Sequence, residues 1–318
     1  MLEDVKKAIA PHLLEFNNAY QDAVKSDISL LNDITTYIKT TSGKQIRPVF
    51  TYLSALLCGK VTPQTTRTAL AMELLHTSTL VHDDVVDNSP MRRGKSTVNK
   101  MWNNKLAVLS GDYLLSIVLN ILSANNDIET IAILSKVAAE LSEGEVLQQE
   151  MSMRQDYSEE GYYEIIRKKT AALFSACFEA GAISAEADTE QIALLKGLGE
   201  NIGIAFQIKD DILDYSAKID AGKVYGNDIR ERKFTLPLIE YMRKASPAEK
   251  EYILHVFEEK DMVTDEQVNE IVEKVNRSGG VDFAYAEMKR FIDKAIQDLD
   301  SFEPSEIKTA LQTAILSL

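Results

Sequence analysis

Three carboxylates fall within five residues, at Asp83, Asp84 and Asp87, in the stretch LVHDDVVDNSPMRRG (Leu80–Gly94), and Arg92 and Arg93 follow at once. The same DDxxD spacing returns at Asp210, Asp211 and Asp214 in DDILD. On a helix, positions i and i+4 share a face, so Asp83 and Asp87 project together with Asp84 beside them, and Asp210 and Asp214 do likewise. Like charges that close repel, at small cost on a solvated face. Here the flanks, LLHTSTLVHDD and GIAFQIKDDILDY, are apolar, so these helices are expected to be largely buried and the acids to need a counter-charge. Carboxylates with no Cys/His pattern beside them suit a hard divalent cation, Mg²⁺ rather than zinc. Mg²⁺ completes its shell with water and phosphate oxygens, which makes a polyphosphate the missing partner. Cations to grip it are at hand: Arg92 and Arg93 after the first cluster, and Lys44, Arg47, Lys169, Lys223 and Lys233 in or beside expected chain breaks.

Helices must position these groups. No proline occurs between Pro90 and Pro237, and apolar residues there recur at three and four, as in LAVLSGDYLLSIVLNIL, which is the period of buried helices. Sustained alternation and Asn-Gly or Asp-Gly hairpin signals are missing, so the fold class is all-α. Breaks are expected at Thr40–Pro48, Cys58–Gln64, Asn88–Ser96, Ser123–Ile128 and Ser216–Asp228, each rich in Gly, Pro, Asn or Ser. None resembles an interdomain linker, which points to one bundle-like domain over residues 1–318.

The bulk numbers set limits. A chain of 318 residues with 45% hydrophobic residues can fill a sizeable core. Its 35 Lys and Arg against 49 Asp and Glu give a net charge of −14, which argues against nucleic acid as a partner. Cys58 and Cys177 stand alone and read as reduced core thiols. The N-terminus has no apolar signal core, and no run of about 18 uncharged apolar residues occurs. A soluble, cytoplasmic protein with no integral membrane segment is expected.

Seven motifs in order carry a family resemblance: GKQIRP (Gly43–Pro48), ELLHTSTLVHDDVVDNSPMRRG (Glu73–Gly94), GDYLLS (Gly111–Ser116), GEVLQ (Gly144–Gln148), KKTAALF (Lys168–Phe174), GIAFQIKDDILDY (Gly203–Tyr215) and GKVYGNDIRERKFTLPLI (Gly222–Ile239). The chain resembles the trans-isoprenyl diphosphate synthases. The resemblance implies a bundle of long helices around a central cavity, usually as a homodimer, with three Mg²⁺ ions held by the two Asp motifs on an allylic diphosphate. It assigns Arg92, Lys169, Lys223 and Lys233 to that diphosphate, and Lys44, Arg47, His76 and Arg93 to isopentenyl diphosphate. Thr170 and Gln207, with Lys169, match groups beside the reacting carbons. Helix geometry agrees in part: His76 lies seven residues before Asp83, and Gln207 three and four before Asp210 and Asp211. The implied reaction ionises the allylic substrate and adds isopentenyl diphosphate to the cation. One departure is Arg232, where the family usually has Gly before the lysine, which puts the placement of Lys233 in question.

Product length is expected to depend on the side chains one helical turn before Asp83, about 6 Å deeper. Ser78 and Thr79 stand where short-chain members carry Tyr or Phe, and both are small. With HTSTLVHDDVVDNS and SEGEVLQ, they resemble the long-chain branch that makes quinone side chains of roughly C30 to C40. The alternatives are a shorter, geranylgeranyl or farnesyl, product and a non-catalytic subunit of a heteromeric synthase. The second is disfavoured because such subunits normally lose an Asp motif.

Overall fold

The structure, a computed structural model, describes residues 2–41, 43–216, 225–258 and 262–317. The expected break at Ser216–Asp228 lies mostly outside them, and so does Lys223. In chain order α1 (Leu2–Ala8), α2 (Ala10–Ala23) and α3 (Ser29–Thr40) lead to α4 (Ile46–Leu57) and α5 (Pro63–Val86). A hairpin, β1 (Met91–Arg92) and β2 (Lys95–Ser96), precedes α6 (Val98–Met101), α7 (Asn104–Ala124), α8 (Ile128–Arg154) and α9 (Glu159–Ile166). One π turn, Arg167–Ala171, runs into α10 (Ala172–Ser184) and is followed by α11 (Thr189–Asp214) and α12 (Asn227–Arg230). The chain continues through α13 (Leu236–Lys244), α14 (Pro247–Glu258), α15 (Asp265–Ser278), α16 (Gly280–Leu299) and α17 (Glu306–Leu316). The all-α expectation holds.

Helix boundaries follow local chemistry. Thr62, the N-cap before Pro63, and Thr65 in the first turn form a reciprocal capping box, and Asn103 and Ser158 cap α7 and α9 by accepting from Leu106 and Gly161 N–H. Such caps contribute about 1 kcal/mol each. The fourth helix starts at Ile46, inside the expected break, because Pro48 falls in its first turn, where the missing N–H costs nothing.

Two compact units divide the chain: Met1–Ala138 with Leu173–Gly199 and Ile296–Ser317, and Ala139–Ala172 with Glu200–Ala295. In the first, α5 packs along α7 and against α4. Ala69, Ala71, Met72 and Leu74 in α5 are all fully buried, as befits a helix enclosed on several faces. Cys177 is buried and Cys58 half-buried, both as free thiols, and burial pushes them up to about 12 and about 11. In the second unit, Tyr215, Leu238, Met242, Ile253, Val268 and Ile271 form a core that holds α13, α14 and α15.

One strand pair departs from the expectation of no hairpin. Met91 pairs with Ser96 and Arg92 with Lys95, and the two turn residues, Arg93 and Gly94, have φ of 53° and 75°. Positive φ at both positions is what a two-residue hairpin needs. Arginine at the first position is why no turn signal is visible in the sequence. Among the described residues, Asn104–Ala124 is the one helix long and apolar enough to cross a membrane, with 33% of its apolar window buried.

Candidate active site

The end of α5 and the hairpin form one part of the site. Asp83 is half-buried, Asp84 buried and Asp87 exposed at the helix C-cap. Arg92 Nε donates to Asp84 Oδ1 at 2.7 Å, while the Asp84 carbonyl accepts from Asn99 Nδ2 and Ser89 N–H. Burial raises the Asp84 carboxyl above its usual range, and Arg92 opposes that shift.

A cleft of the same unit is lined by Gly43, Glu73, His76, Asp84, Arg92 and Arg93 among others. Arg93 Nη1 donates to the Thr41 carbonyl. Arg47, in the first turn of α4, lies with its guanidinium 5.2 Å from the Phe174 ring centroid, and its Nε is buried without a hydrogen-bond partner. Burial, then the charges of Arg47, Arg93 and Arg92, holds His76 well below the usual imidazole range, so it is neutral at physiological pH. Glu73, 6% exposed and with Oε2 unpartnered, is a second buried acid beside Asp84. Burial raises it, and Arg47 and Arg93 pull it back. The cleft holds two guanidiniums, Arg92 and Arg93, two buried acids, Glu73 and Asp84, and a neutral imidazole, while Arg47 is not among its lining residues; a guanidinium with paired N–H donors is chemically fit to take up an anion. Lys44 is exposed and does not line it.

The second unit carries the other candidates. The π turn sets Lys168, Lys169 and Thr170 against α8, where Gly144 makes room: a Cβ there would come within 2.7 Å of Lys169 Cγ. Lys169 Nζ pairs with Glu145 at 2.6 Å and donates to Gln148 Oε1 at 2.8 Å. Thr170 Oγ1 donates to Gln207 Oε1 at 2.7 Å, and Gln207 Nε2 donates to Asp211 Oδ1 at 2.8 Å. The three acids of this motif differ. Asp210 is exposed and Asp211 buried; Asp214 accepts the N–H groups of Asn227 and Asp228 on its two oxygens. Burial pushes Asp211 up to about 7 against the hydrogen bonds from Tyr162 and Gln207, with Asp210 adding to the rise. Half-buried Asp228 is raised well above its range by desolvation and then by the charges of Asp211 and Asp214.

Arg232 has φ of 58°, the left-handed conformation that glycine adopts without strain. That explains the usual Gly and shows that the turn survives the change. Lys233 N–H donates to the Asp228 carbonyl at 2.8 Å and its Nζ pairs with Glu231. Of the two candidates for chain length, Ser78 is 2% exposed and its hydroxyl donates to the Gly111 carbonyl on α7 at 2.8 Å. Thr79 is half-buried and bonds the His76 carbonyl.

Sequence reasoning did not single out Glu73, Glu145, Gln148 or Tyr162. Glu73 had a signal, standing one turn before His76 on the same face of α5; Glu145 and Gln148 lie in GEVLQ, which has no charge pattern of its own, and Tyr162 lies outside the seven motifs. Among the described residues no three His, Cys, Asp or Glu groups are gathered as a ready metal cage. The oxygen-only donors of the two motifs fit Mg²⁺ if water and phosphate oxygens complete its shell.

Residues 28–275 match the Polyprenyl synthetase family. The all-trans-nonaprenyl-diphosphate synthase (geranyl-diphosphate specific) of Rhodobacter capsulatus is 33% identical over 97% of this chain and 94% of its own. A polyprenyl synthase from Caulobacter crescentus, solved in complex with calcium and isoprenyl diphosphate, superimposes with a TM-score of 0.93 at 32% identity, over 99% of this chain and 96% of that one. A geranylgeranyl pyrophosphate synthase from Bacteroides thetaiotaomicron gives 0.85 at 36% identity, over 98% and 97%. The chain belongs to the polyprenyl synthetase family and is a prenyltransferase, one of the enzymes that build all-trans polyprenyl diphosphates.

Proposed function

We propose that this protein extends an allylic diphosphate by repeated head-to-tail condensation with isopentenyl diphosphate, to a product of roughly C30 to C40 for a quinone side chain. The observation that carries the reading is the arginine-lined cleft beside Asp84, with neutral His76, in a chain whose net charge is −14. An acidic protein that sets two arginines side by side in one cleft has a local use for them. In this reading Lys44, Arg47, His76 and Arg93 bind isopentenyl diphosphate. Arg92, Lys169, Lys223 and Lys233 hold the allylic diphosphate, with Asp83, Asp84, Asp87, Asp210, Asp211 and Asp214 as Mg²⁺ ligands for three ions. Bound Mg²⁺ supplies positive charge to the departing diphosphate. Lys169 leaves Glu145 to neutralise the same charge, and Thr170 and Gln207 face the cationic carbons with oxygen dipoles. His76, being neutral, offers a hydrogen bond without adding charge.

The long-chain assignment is supported by the small side chains of Ser78 and Thr79 and by the nonaprenyl relative. We place the protein in the cytoplasm as a homodimer; the exposed Val108, Leu109 and Leu119 of α7 (40%, 52% and 53% exposed) are an apolar surface a second copy would cover. The test is incubation of the purified protein with Mg²⁺, farnesyl diphosphate and labelled isopentenyl diphosphate, followed by sizing of the dephosphorylated products. A ladder to C30 or beyond is expected. A stop at C20 keeps the enzyme and overturns the long chain, and no elongation with any primer overturns the catalytic reading.

A further inference from the structure

Asp211 is 4% exposed, yet both of its carboxylate oxygens have donors: Tyr162 Oη–H reaches Oδ2 at 2.6 Å and Gln207 Nε2 reaches Oδ1 at 2.8 Å. Beyond Gln207, Thr170 Oγ1 donates to the amide oxygen at 2.7 Å. An ionised carboxylate, the form a Mg²⁺ ligand takes, only accepts, so the NH₂ of Gln207 faces Asp211 and its carbonyl faces Thr170. The Thr170 proton is then committed to that carbonyl, and the lone pairs of its hydroxyl are what it presents elsewhere. Every dipole along Tyr162–Asp211–Gln207–Thr170 has one direction, set by the acceptor in the middle.

The backbone explains how Tyr162 comes to be there. Two turns of α-helix take about 7.2 residues, and a π turn adds one. Tyr162 in α9 and Thr170 in the π turn are eight apart, and the π turn begins at Arg167, between them, so the extra residue brings them into phase. Their partners, Asp211 and Gln207, are four apart on one face of α11. A second ring steadies the first: Tyr163 lies edge-on to Tyr162 with centroids 5.4 Å apart, and its hydroxyl donates to Glu287 at 2.9 Å.

We propose that Tyr162 is a positioning residue whose hydroxyl fixes the Asp211 carboxylate and, through it, the amide of Gln207 and the hydroxyl of Thr170. The assignment rests on the proposed function, which puts Gln207 and Thr170 beside the reacting carbons and Asp211 among the Mg²⁺ ligands. Without the phenol, one oxygen of Asp211 is released, and the carboxylate can rotate and carry the amide with it.

The test is Tyr162→Phe in the full-length protein, with thermal unfolding, steady-state kinetics for both substrates, and calorimetric titration of inorganic pyrophosphate with Mg²⁺. A lost hydrogen bond to a charged group corresponds to about tenfold or more. The expected result is a kcat lower by about that factor and weaker pyrophosphate binding, with KM for isopentenyl diphosphate within about twofold and cooperative unfolding retained. In a Thr170→Val background the same change should cost no more than about twofold further, because the end of the chain is already gone. Unchanged kcat and pyrophosphate affinity in Y162F overturns the assignment. So does full additivity with T170V, or loss of the folded state, which would make the hydroxyl an element of stability alone. A wild type that elongates no primer overturns the proposed function instead, so the two failures are told apart.

Discussion

The guanidinium of Arg93 occupies the space a side chain on Gly43 would need: a Cβ built there would lie 2.4 Å from Arg93 Nη1 and 2.5 Å from its Cζ. The obstacle is the far end of a flexible side chain and not backbone, so Gly43→Ala should displace the guanidinium and leave the fold intact. Arg93 would lose its seat in the cleft. Loss of one charge-assisted contact to a diphosphate is about 1.5–3 kcal/mol, so KM for isopentenyl diphosphate should rise about tenfold or more with the thermal midpoint unchanged. Steady-state kinetics beside a melting curve checks this, and an unchanged KM would show that Arg93 does not serve that substrate.

Arg232 gives a prediction of opposite sign. A non-glycine residue in the left-handed region costs about 1–2 kcal/mol, and glycine gives back about half of that through chain entropy. Arg232→Gly, at φ 58°, should therefore stabilise the protein by up to about 1 kcal/mol, visible as a midpoint higher by about 2 °C. Activity should be retained, because Lys233 keeps its backbone bond to Asp228. A clear loss of stability would mean that the Arg232 side chain is itself a support of the turn.

Sequence pattern made some of this visible and hid the rest for definable reasons. The two DDxxD clusters declare themselves because the helical period puts their ends on one face, and α5 and α11 carry them as expected. Their division of labour is hidden: identical spacing does not reveal that Asp211 is buried between Tyr162 and Gln207 while Asp214 holds the N–H groups of Asn227 and Asp228. Tyr162 is hidden by the π turn, since a count in ordinary helical turns puts it out of phase with Thr170. The hairpin is hidden because Arg93 fills a position usually given to Asn, Asp or Gly. Glu73 stands one turn before His76 in a chain rich in acids, a faint signal to which burial beside Arg47 and Arg93 gives meaning.

Ser78 and Thr79 should respond differently to enlargement. Ser78 is buried against α7 with its hydroxyl on the Gly111 carbonyl, so Ser78→Tyr forces a ring between two packed helices at about 1–3 kcal/mol. Half-buried Thr79 has room for Phe at smaller cost. Both variants should shorten the product if the prenyl chain passes this turn, and S78Y alone should also melt several degrees lower. Product sizing and thermal unfolding on the same samples decide it; unchanged product length in both would remove this turn from the control of chain length.

His76 predicts an acid sensitivity. Its folded form stays neutral because burial and the charges of Arg47, Arg93 and Arg92 hold it well below its ordinary value, whereas in the unfolded chain it titrates near 6.5. Below that value the unfolded state binds more protons, so His76 lowers stability as pH falls, and above it the effect vanishes. Glu73 acts in the other direction, since its raised carboxyl takes up a proton more readily when folded, but it is present in both proteins being compared. From about pH 7 to about pH 5.5, the midpoint of the wild type should fall further than that of His76→Gln, by about 2 °C or more. Parallel curves would mean that the folded protein accepts a proton at this position after all, and with it that His76 enters the cleft as a cation.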